Sequence, residues 1–346
     1  MDSPCPARGD KILKEFSFYE GKRILITGFS GFLGNEILRL LQDVDCQCLG
    51  ITRRENFKQA AESNLKIIRG NLDEASLWQE ALEGVEIVIH LAAQTSLEFA
   101  QKNPEADYRA NVLPMIRLLE TAKSLKKRLK IIFAGTATEA GIPETLFLDE
   151  KHPDRPITVY DAHKLEAEQA LKISSSRNEI HGVSLRLCNL YGPGPDPMSS
   201  ERGVLNQAVL KALKENPLFW YEGHDFIRDY LYVTDGAKAF LRAGEKTEKI
   251  SGRHFVIGSG QGWKFSEAFQ LAAEKVAEAV GKTAVQVKKI AAPEALNPIH
   301  SRSVVAQSQA FSNETGWTPE VPLPLGLERT VSYFLKQLVP KIAVGQ

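Results

Sequence analysis

The chain has 346 residues, enough to bury a large core, and its length alone suggests two domains or one large one. Its 43 basic and 43 acidic residues cancel, so bulk charge gives no reason to expect a nucleic acid or an anionic membrane as partner. The apolar runs fall well short of the roughly 20 residues of a membrane helix, the N-terminus is polar, and four scattered cysteines make no disulfide framework, so we expect a protein of the reducing cytoplasm.

Short apolar runs alternate with helical patterns over the first 190 residues. The runs are rich in β-branched residues, as buried strands are, and the stretches between them repeat leucine and isoleucine at helical spacing. In chain order we predict strand 22–27, helix "NEILRLLQD", strands "CQCLGIT" and "LKIIRG", helix "EASLWQEALEG", strand "VEIVIHLAA", a helix at about 103–127, strand "KIIFAG", a helix at about 160–174 and strand "GVSLRLCNL". This alternation predicts an α/β fold, a doubly wound parallel sheet with helices on both faces.

The pattern changes after Tyr191. The stretch "YGPGPDPMSSERG" is rich in proline, glycine and serine and cannot continue a strand or a helix. The remainder mixes short helices with short strands: helices 204–215 and 265–280, strands 218–222, 253–257 and 284–290. We therefore predict a first domain over 20–190, rejoined by segments within about 229–258, and a smaller C-terminal α+β lobe over 191–335, with terminal extensions at 1–19 and 336–346.

Three glycines, Gly28, Gly31 and Gly34, stand three residues apart between the first strand and the first helix. The first permits a sharp turn, the second lets a pyrophosphate approach the backbone, and the third lets the helix pack closely with its N-terminus toward the anion. The Lys-Ser or Lys-Thr of a P-loop is absent, because Asn35 and Glu36 follow Gly34. A dinucleotide is the better ligand and the fold is of the Rossmann type; a tight turn without a ligand is the alternative.

The run "TGFSGFLG" resembles the extended short-chain dehydrogenase/reductase family. Arg53 and Arg54 follow the second strand, where a carboxylate suits the ribose 2′-hydroxyl of NAD and an arginine suits the 2′-phosphate of NADP. We therefore predict NADP(H) over NAD(H), with an exposed surface pair as the alternative. The resemblance implies further cofactor contacts from Ser30, Phe32, Leu33, Asn71, Leu72, Leu91, Ala92, Ala93 and Asn111.

Tyr160 and Lys164 stand four residues apart at the start of a predicted helix, so their side chains share a face. A phenol is a poor acid or base at neutral pH, and a neighbouring ammonium group favours its ionised form. The pair resembles the family's Tyr-x-x-x-Lys motif, in which the tyrosine moves the substrate's proton and the lysine also holds the nicotinamide ribose. Alignment on Gly141 implies that Thr136 is the catalytic serine or threonine of the family, with Thr138 as its substitute.

Three later stretches, "LRLCNLYGPG", "RDYLYVTDGAKAFLRA" and "ETGWTPEVPLPLGLERTV", resemble the nucleotide-sugar branch of this family, so the resemblance spans roughly residues 20–335. It implies that the smaller lobe binds a nucleotide sugar. Asn189 would contact the sugar nucleotide, and Arg228 and Arg302 would bind its diphosphate through charge-assisted hydrogen bonds. Thr95 and Thr138 complete the expected substrate contacts. The alternative for either arginine is an ordinary surface or ion-pair residue.

Departures from the family's patterns narrow the reaction. Thr138 stands where 4,6-dehydratases carry a glutamate, and Glu139, one residue later, would turn to the other face. The Cys and His of the enzymes that finish GDP-fucose would fall on Thr138 and Gly194, so that chemistry is disfavoured too. A 4-epimerase with tightly held NAD(P) and a 4-ketoreductase remain. The arginines favour net reduction, so we predict NADPH-dependent reduction of a nucleotide-linked 4-keto-6-deoxysugar, with 4-epimerisation as the alternative.

Two further hypotheses concern function and assembly. A non-catalytic dinucleotide-binding protein predicts the loss of Tyr160 or Lys164, and both are present. The resemblance implies a homodimer through a four-helix bundle of the helices at about 103–127 and 160–174. We expect no metal site, and we expect His163 to be a surface residue of its helix.

Overall fold

The computed structural model describes residues 15–54, 64–194, 203–292 and 298–342. Within these ranges the strands are β1 Arg23–Thr27, β2 Gln47–Thr52, β3 Leu65–Arg69, β4 Ile87–His90, β5 Lys130–Thr136, β6 Phe147–Leu148, β7 His181–Leu187, β8 Asn189–Tyr191, β9 Leu218–Tyr221, β10 Ile227–Tyr232, β11 His254–Ile257, β12 Gly262–Lys264, β13 Val287–Ile290 and β14 Val305–Ala306. The α-helices are α1 Phe32–Leu41, α2 Ala75–Ala81, α3 Leu97–Lys102, α4 Pro104–Asn111, α5 Leu113–Ser124, α6 Val159–Ser176, α7 Val204–Leu213, α8 Val233–Ile250, α9 Phe265–Val280, α10 Gln309–Thr315 and α11 Leu323–Ile342. Short 3-10 helices span Ser17–Tyr19, Ala137–Ala140 and Pro298–Ser301.

The large sheet has seven strands within the described ranges, in the order β11-β7-β5-β4-β1-β2-β3. The pairings from β3 through β2, β1 and β4 to β5 are all parallel. Helices cover both faces. Ile131 of β5 lies in a core with side chains of α2, α5 and α6, whereas Ile132 points the other way, 3.6 Å from where a Cβ on Gly244 of α8 would lie. The predicted doubly wound α/β fold is confirmed.

The C-terminal half adds small sheets, β12-β10-β8, β13-β9 and β14-β6. Helices α7, α9 and α11 pack with aromatic side chains of β8 and β10 into a separate core. The chain divides into two compact units: the first holds the residues up to Gly135, His163–Leu185 and Ala237–His254, and the second holds Thr136–Ala162, Arg186–Gly236 and the residues from Phe255. Among the described residues, no helix combines the length and apolarity that crossing a bilayer requires.

The helix predicted at about 103–127 is two helices, α4 and α5, with a break at Val112. Pro114 is the reason, because it has no N–H to continue the hydrogen-bond ladder of α4 and its ring favours the first turn of a new helix. Residues 195–202 of the predicted Pro/Gly/Ser break lie outside the described residues, as do most of the predicted terminal extensions.

Candidate active site

The loop between β1 and α1 is shaped by its glycines. Gly28 has a φ of +70°, and a Cβ added there would lie 2.8 Å from the backbone nitrogen of Ala92. A Cβ on Gly34 would lie 2.6 Å from the Cα of Phe29, so a larger residue would push α1 away from the strand. Gly31 is the N-cap of α1, and no side chain caps the first turn. The turn therefore has the close backbone approach and the uncapped helix end that a phosphate needs.

Thr27, at the end of β1, holds the loop that follows β4. Its Oγ1 accepts the N–H groups of Leu91 and Ala92, both at 3.1 Å. Its own hydrogen is therefore directed to Nδ1 of His90, 2.8 Å away, and a neutral His90 carries its proton on Nε2. Burial first, and the charge of Lys164 second, together lower the pKa of His90 to about 3. Neither Thr27 nor His90 is among the residues predicted from the sequence; the available signal was a hydroxyl group at the last position of an apolar strand.

The predicted adenine end of the site lies at the ends of β2 and β3. Arg53 and Arg54 directly follow β2 and both are exposed. The N–H of Arg54 donates to Oγ1 of Thr52 at 3.1 Å, which bends the chain out of the strand. Asn71 and Leu72 follow β3 and are partly buried, with Leu72 packed against the core of the first unit. Two exposed guanidinium groups here fit a phosphate or solvent equally.

The predicted catalytic pair lies in α6, which begins at Val159 and carries Tyr160 and Lys164 one turn apart. Lys164 is 2% exposed, and its Nζ lies 4.0 Å from the centroid of the Phe133 ring, a cation–π contact. Tyr160 is partly buried. The lysine is therefore held in a fixed, largely dry position in the first unit.

Asn111 and His163 both make side-chain hydrogen bonds within the first unit. Asn111 is buried, and its Nδ2 donates to the carbonyl of Gln94, 3.1 Å away, so it fastens the loop after β4. The expectation that His163 lies on the helix surface is wrong. Its side chain is only 16% exposed, and its Nδ1 lies 2.7 Å from Oδ2 of the fully buried Asp107. Thr95, by contrast, is exposed on the loop after β4.

Thr136 and Thr138 form a pair of hydroxyl groups directly after β5, with their Oγ1 atoms 2.8 Å apart. Thr136 caps the 3-10 helix that follows, because its Oγ1 accepts the N–H of Thr138 and its own N–H donates to Glu139. Glu139 is fully buried and pairs with Nε of Arg186 at 2.9 Å. Its carboxylate is thus engaged in holding the turn, and the two hydroxyl groups remain the candidate reactive groups of this segment.

Asp161 lies directly after Tyr160 and is fully buried. Burial raises the pKa of this carboxyl group, and the hydroxyls of Thr138 and Thr158 and the charge of Arg302 oppose the rise. The N–H of Asp161 donates to Oγ1 of Thr158 at 3.1 Å, which starts the helix. The hydroxyl group of Thr158 thus caps the first turn of α6.

Two buried arginines lie together in the second unit. Arg228 is 5% and Arg302 6% exposed, and Nη1 of Arg228 donates to the carbonyl of Arg302. Burial, and then the charge of Arg302, lowers the pKa of Arg228 to about 10. In the part of the chain that the structure describes, Nη1 of Arg302 has no hydrogen-bond partner. Asn189, on the neighbouring strand β8, donates to the carbonyl of Asp229 at 3.1 Å. Arg302 therefore presents a buried, positively charged donor that an anionic ligand would complete.

The described residues contain no cluster of three or more His, Cys, Asp or Glu side chains that could hold a metal ion. The candidate site residues of the two units carry hydroxyl, phenol, ammonium and guanidinium groups. Such groups bind phosphates and move protons between oxygens.

Known proteins similar to this chain include UDP-glucose 4-epimerases. A candidate UDP-glucose 4-epimerase of Methanocaldococcus jannaschii is 30% identical over 319 residues, which cover 90% of this chain and 97% of that protein. The UDP-glucose 4-epimerase of Thermotoga maritima, solved with UDP-glucose, superposes with a TM-score of 0.80 at 26% identity over 91% of this chain and 99% of that one. The UDP-glucose 4-epimerase of Thermus thermophilus, solved with NAD, gives a TM-score of 0.75 at 28% identity over 90% and 99%.

The family model described as "NAD dependent epimerase/dehydratase family" matches residues 24–258, from β1 to the end of the large sheet. That range contains the glycine loop, the hydroxyl pair after β5 and the Tyr-x-x-x-Lys helix. As the resemblance to the extended short-chain dehydrogenase/reductases predicts, the chain belongs to the NAD dependent epimerase/dehydratase family.

Proposed function

We propose that this chain is a nucleotide-sugar 4-epimerase that works on a tightly held NAD. The observation that carries the proposal is that a candidate and a solved UDP-glucose 4-epimerase align with it over 97% and 99% of their own lengths. A chain that aligns with such proteins from end to end shares their substrate lobe as well as their dinucleotide fold. This supports 4-epimerisation, the alternative from the sequence, over net ketone reduction.

The first unit fits a nicotinamide dinucleotide. At Gly28 and Gly34 a Cβ would fill the space of the turn, and the stretch 91–93 runs beside it, fastened by Thr27. We propose NAD because the Thermus thermophilus relative was solved with it. When bound, the nicotinamide ring supplies the acceptor and then the donor of a hydride at carbon 4 of the sugar.

Tyr160 is the residue to which we assign the proton transfer. Tyr160 accepts the proton of the sugar's 4-hydroxyl group and later returns it to the same oxygen. Lys164, one turn along α6, favours the ionised phenol and donates to the ribose of the dinucleotide. The hydroxyl group of Thr136 donates a hydrogen bond to the sugar oxygen. Thr138 orients Thr136, since their Oγ1 atoms lie 2.8 Å apart. Proton and hydride both return to the sugar, so the reaction balances without a second substrate.

The second unit supplies the anchor. Arg228 and Arg302 are two buried cations with no full set of protein acceptors for Arg302, which supports a doubly charged ligand such as the diphosphate of UDP. Asn189, beside them on β8, would contact the nucleotide sugar. Epimerisation requires that the sugar present both faces of carbon 4, and a ligand held by its diphosphate is free to turn over at its sugar end.

Two further proposals concern a different reaction, 4-ketoreduction, and the assembly of the chain into a homodimer. NADPH-dependent 4-ketoreduction is the second candidate, because Arg53 and Arg54 are exposed at the strand end where a 2′-phosphate would lie. The homodimer through α4, α5 and α6 is proposed from the family resemblance alone. A dehydratase has less support, because Glu139 is occupied by Arg186 and by the backbone of Thr136.

The test supplies UDP-glucose, UDP-galactose and UDP-glucuronate separately and analyses the products by anion-exchange chromatography. A 4-epimerase converts at least one of these into its C4 epimer with no net change in NADH absorbance, and an enzyme that acts on UDP-glucose would also convert UDP-galactose back. The second candidate instead consumes NADPH with a nucleotide-linked 4-keto-6-deoxysugar and leaves the other sugars unchanged. Net NADPH oxidation with that substrate, and no epimer from any UDP-sugar, would reject the proposal.

Tyr160→Phe is the matched variant for the proton step. It removes one hydroxyl group, so we expect kcat to fall by about 10²- to 10⁴-fold, as for the loss of a general acid or base. NAD affinity, measured by calorimetry, should remain close to that of the unaltered protein. Equal turnover by the variant and the unaltered protein would contradict the role of Tyr160.

A further inference from the structure

The carboxylate of Asp107 in α4 is fully buried and collects three side-chain donors. Its Oδ1 accepts Nε2 of Gln94 at 2.6 Å and Nδ2 of Asn111 at 3.0 Å. Its Oδ2 lies 2.7 Å from Nδ1 of His163. Because an ionised carboxylate can only accept hydrogen bonds, His163 must carry a proton on Nδ1. One buried carboxylate thus fixes two amides and the orientation of an imidazole.

The partners of Asp107 come from three separate segments. Gln94 belongs to the loop after β4 and also bonds to the backbone of Ser96, through Nε2 to its carbonyl at 3.0 Å and through Oε1 to its N–H. His163 belongs to α6, and its ring meets the edge of the Tyr108 ring with centroids 5.5 Å apart. The loop and the helix are therefore held to α4 through the same carboxylate.

Two partners of Asp107 are direct sequence neighbours of residues that the proposed function takes as cofactor contacts. Gln94 directly follows Ala93, the last residue of the stretch beside the glycine turn. His163 directly precedes Lys164, whose ammonium group lies 4.0 Å from the Phe133 ring. We propose that Asp107 and His163 are positioning residues that set Lys164 and the loop at 91–96 for the dinucleotide. The inference rests on the proposed function in taking Lys164 and residues 91–93 as cofactor contacts.

Energetics favour a positioning role over simple stabilisation. A buried carboxylate and imidazole lose their hydration, so such a pair contributes less net stability than a well-packed apolar pair of the same size. The pair instead fixes the orientation of its side chains, because each donor must point at one carboxylate oxygen. A one-sided change leaves Asp107 buried with a missing donor and releases the helix residue next to Lys164.

The experiment measures NAD binding by calorimetry for the unaltered full chain, His163→Ala, His163→Asn and His163→Gln. Asparagine places its Nδ2 where the imidazole Nδ1 stands, whereas glutamine places its amide where Nε2 stands. We expect His163→Ala and His163→Gln to weaken NAD binding by about 10-fold, the effect of losing a hydrogen bond to a charged group, and His163→Asn to stay within about 3-fold. Melting temperatures without ligand establish that each variant folds.

His152→Ala is the matched control, since His152 makes a similar contact, Nδ1 to Oδ1 of Asp149 at 3.0 Å, in the second unit. It should leave NAD affinity unchanged. NAD affinity that is unaltered in all His163 variants, or equal losses in His163→Asn and His163→Gln, would overturn the inference. If the expected order of NAD affinities appears while no UDP-sugar is epimerised, the inference holds and the proposed function fails. Should His163→Ala not fold, the comparison of asparagine with glutamine still decides.

Discussion

His90 is the residue whose surroundings have the clearest measurable consequence. It is fully buried beneath the loop after β4, bonded to Thr27 and stacked on Phe133 with ring centroids 5.9 Å apart. Burial first, and the charge of Lys164 second, lower its pKa from 6.5 to about 3. The folded protein therefore keeps this imidazole neutral over a range in which an unfolded chain would protonate it.

The first prediction concerns stability against pH. Between pH 6.5 and about 3 the unfolded state binds one more proton at His90 than the folded state, so stability falls as the pH falls through this range. From pH 7 to pH 5 this one group should remove about 2 kcal/mol, at 1.36 kcal/mol per pKa unit. In urea unfolding experiments, the free energy of unfolding should fall from pH 7 to pH 5 in both proteins. The fall should be smaller in His90→Asn than in the unaltered protein, by about 2 kcal/mol. An equal loss in both would contradict the neutral, buried state of His90; His152→Asn is the control.

At the scale of residues, the sequence predicts those side-chain arrangements that depend only on short spacings along the chain. Tyr160 and Lys164 are four residues apart, and the helix periodicity alone puts them on one face. Thr27 with His90, and Asp107 with His163, are 63 and 56 residues apart, so their contacts depend on strand order and helix packing. No local pattern contains that information. This is why His163 was expected on the surface although it is paired.

At the scale of elements, the turn from β1 to α1 depends on the space at Gly34. This residue lies in the first turn of α1, and the atoms nearest to an added Cβ are backbone atoms of Gly28 and Phe29. Backbone atoms cannot rotate away as a side chain can, so the start of the helix itself would have to shift. The spacing of the glycines predicts this closeness, because only a tight strand-to-helix turn needs glycine at the third position.

The second prediction is that Gly34→Ala weakens NAD binding by at least about 10-fold, since the displaced helix start no longer meets the pyrophosphate. Calorimetry measures the affinity, and the melting temperature reports the accompanying strain. Gly281→Ala is the matched control: nothing lies within 4 Å of its added Cβ, so only the positive φ of +67° costs stability, far from the glycine turn in sequence and in the other unit. Undiminished NAD affinity in Gly34→Ala would contradict the proposed seat of the pyrophosphate.

Other elements mark where local patterns fall short. The apolar repeat of "DYRANVLPMIRLLETA" continues through Val112, yet Pro114 divides it into α4 and α5. Along an extended chain, Glu139 would lie on the face opposite the reacting position. The segment is a 3-10 turn instead, in which Glu139 caps Thr136 and pairs with Arg186, and that partner lies on a distant strand end. Periodicity identifies an element's type, whereas its breaks depend on single residues.

At the scale of the whole molecule, two large apolar clusters among the described residues can be compared with the sequence pattern. One lies between the large sheet and helices α2, α5 and α6, and the other is formed by α7, α9 and α11 with β8 and β10. The alternation of strands and helices predicts the first core, and the change after Tyr191 predicts that a second one follows. The assignments to the units could not be predicted from the strand and helix pattern. The boundaries at Thr136 and Ala162 fall inside β5 and α6, so each of these elements contributes residues to both units.

The third prediction follows from the separate ligand groups of the two units. A ligand at 100 times its dissociation constant stabilises the bound state by about 2.7 kcal/mol, which slows hydrogen exchange up to about 100-fold where amides open only without ligand. In exchange measured by mass spectrometry, NAD should protect residues 28–34 and 91–96 of the first unit, and UDP should protect 227–232 and 302–306 of the second. Arg228→Lys, which replaces a forked donor by a point charge, should reduce the UDP effect and leave the NAD effect intact. UDP protection confined to 28–34 and 91–96 would mean that Arg228 and Arg302 are structural cations and that the diphosphate is held elsewhere.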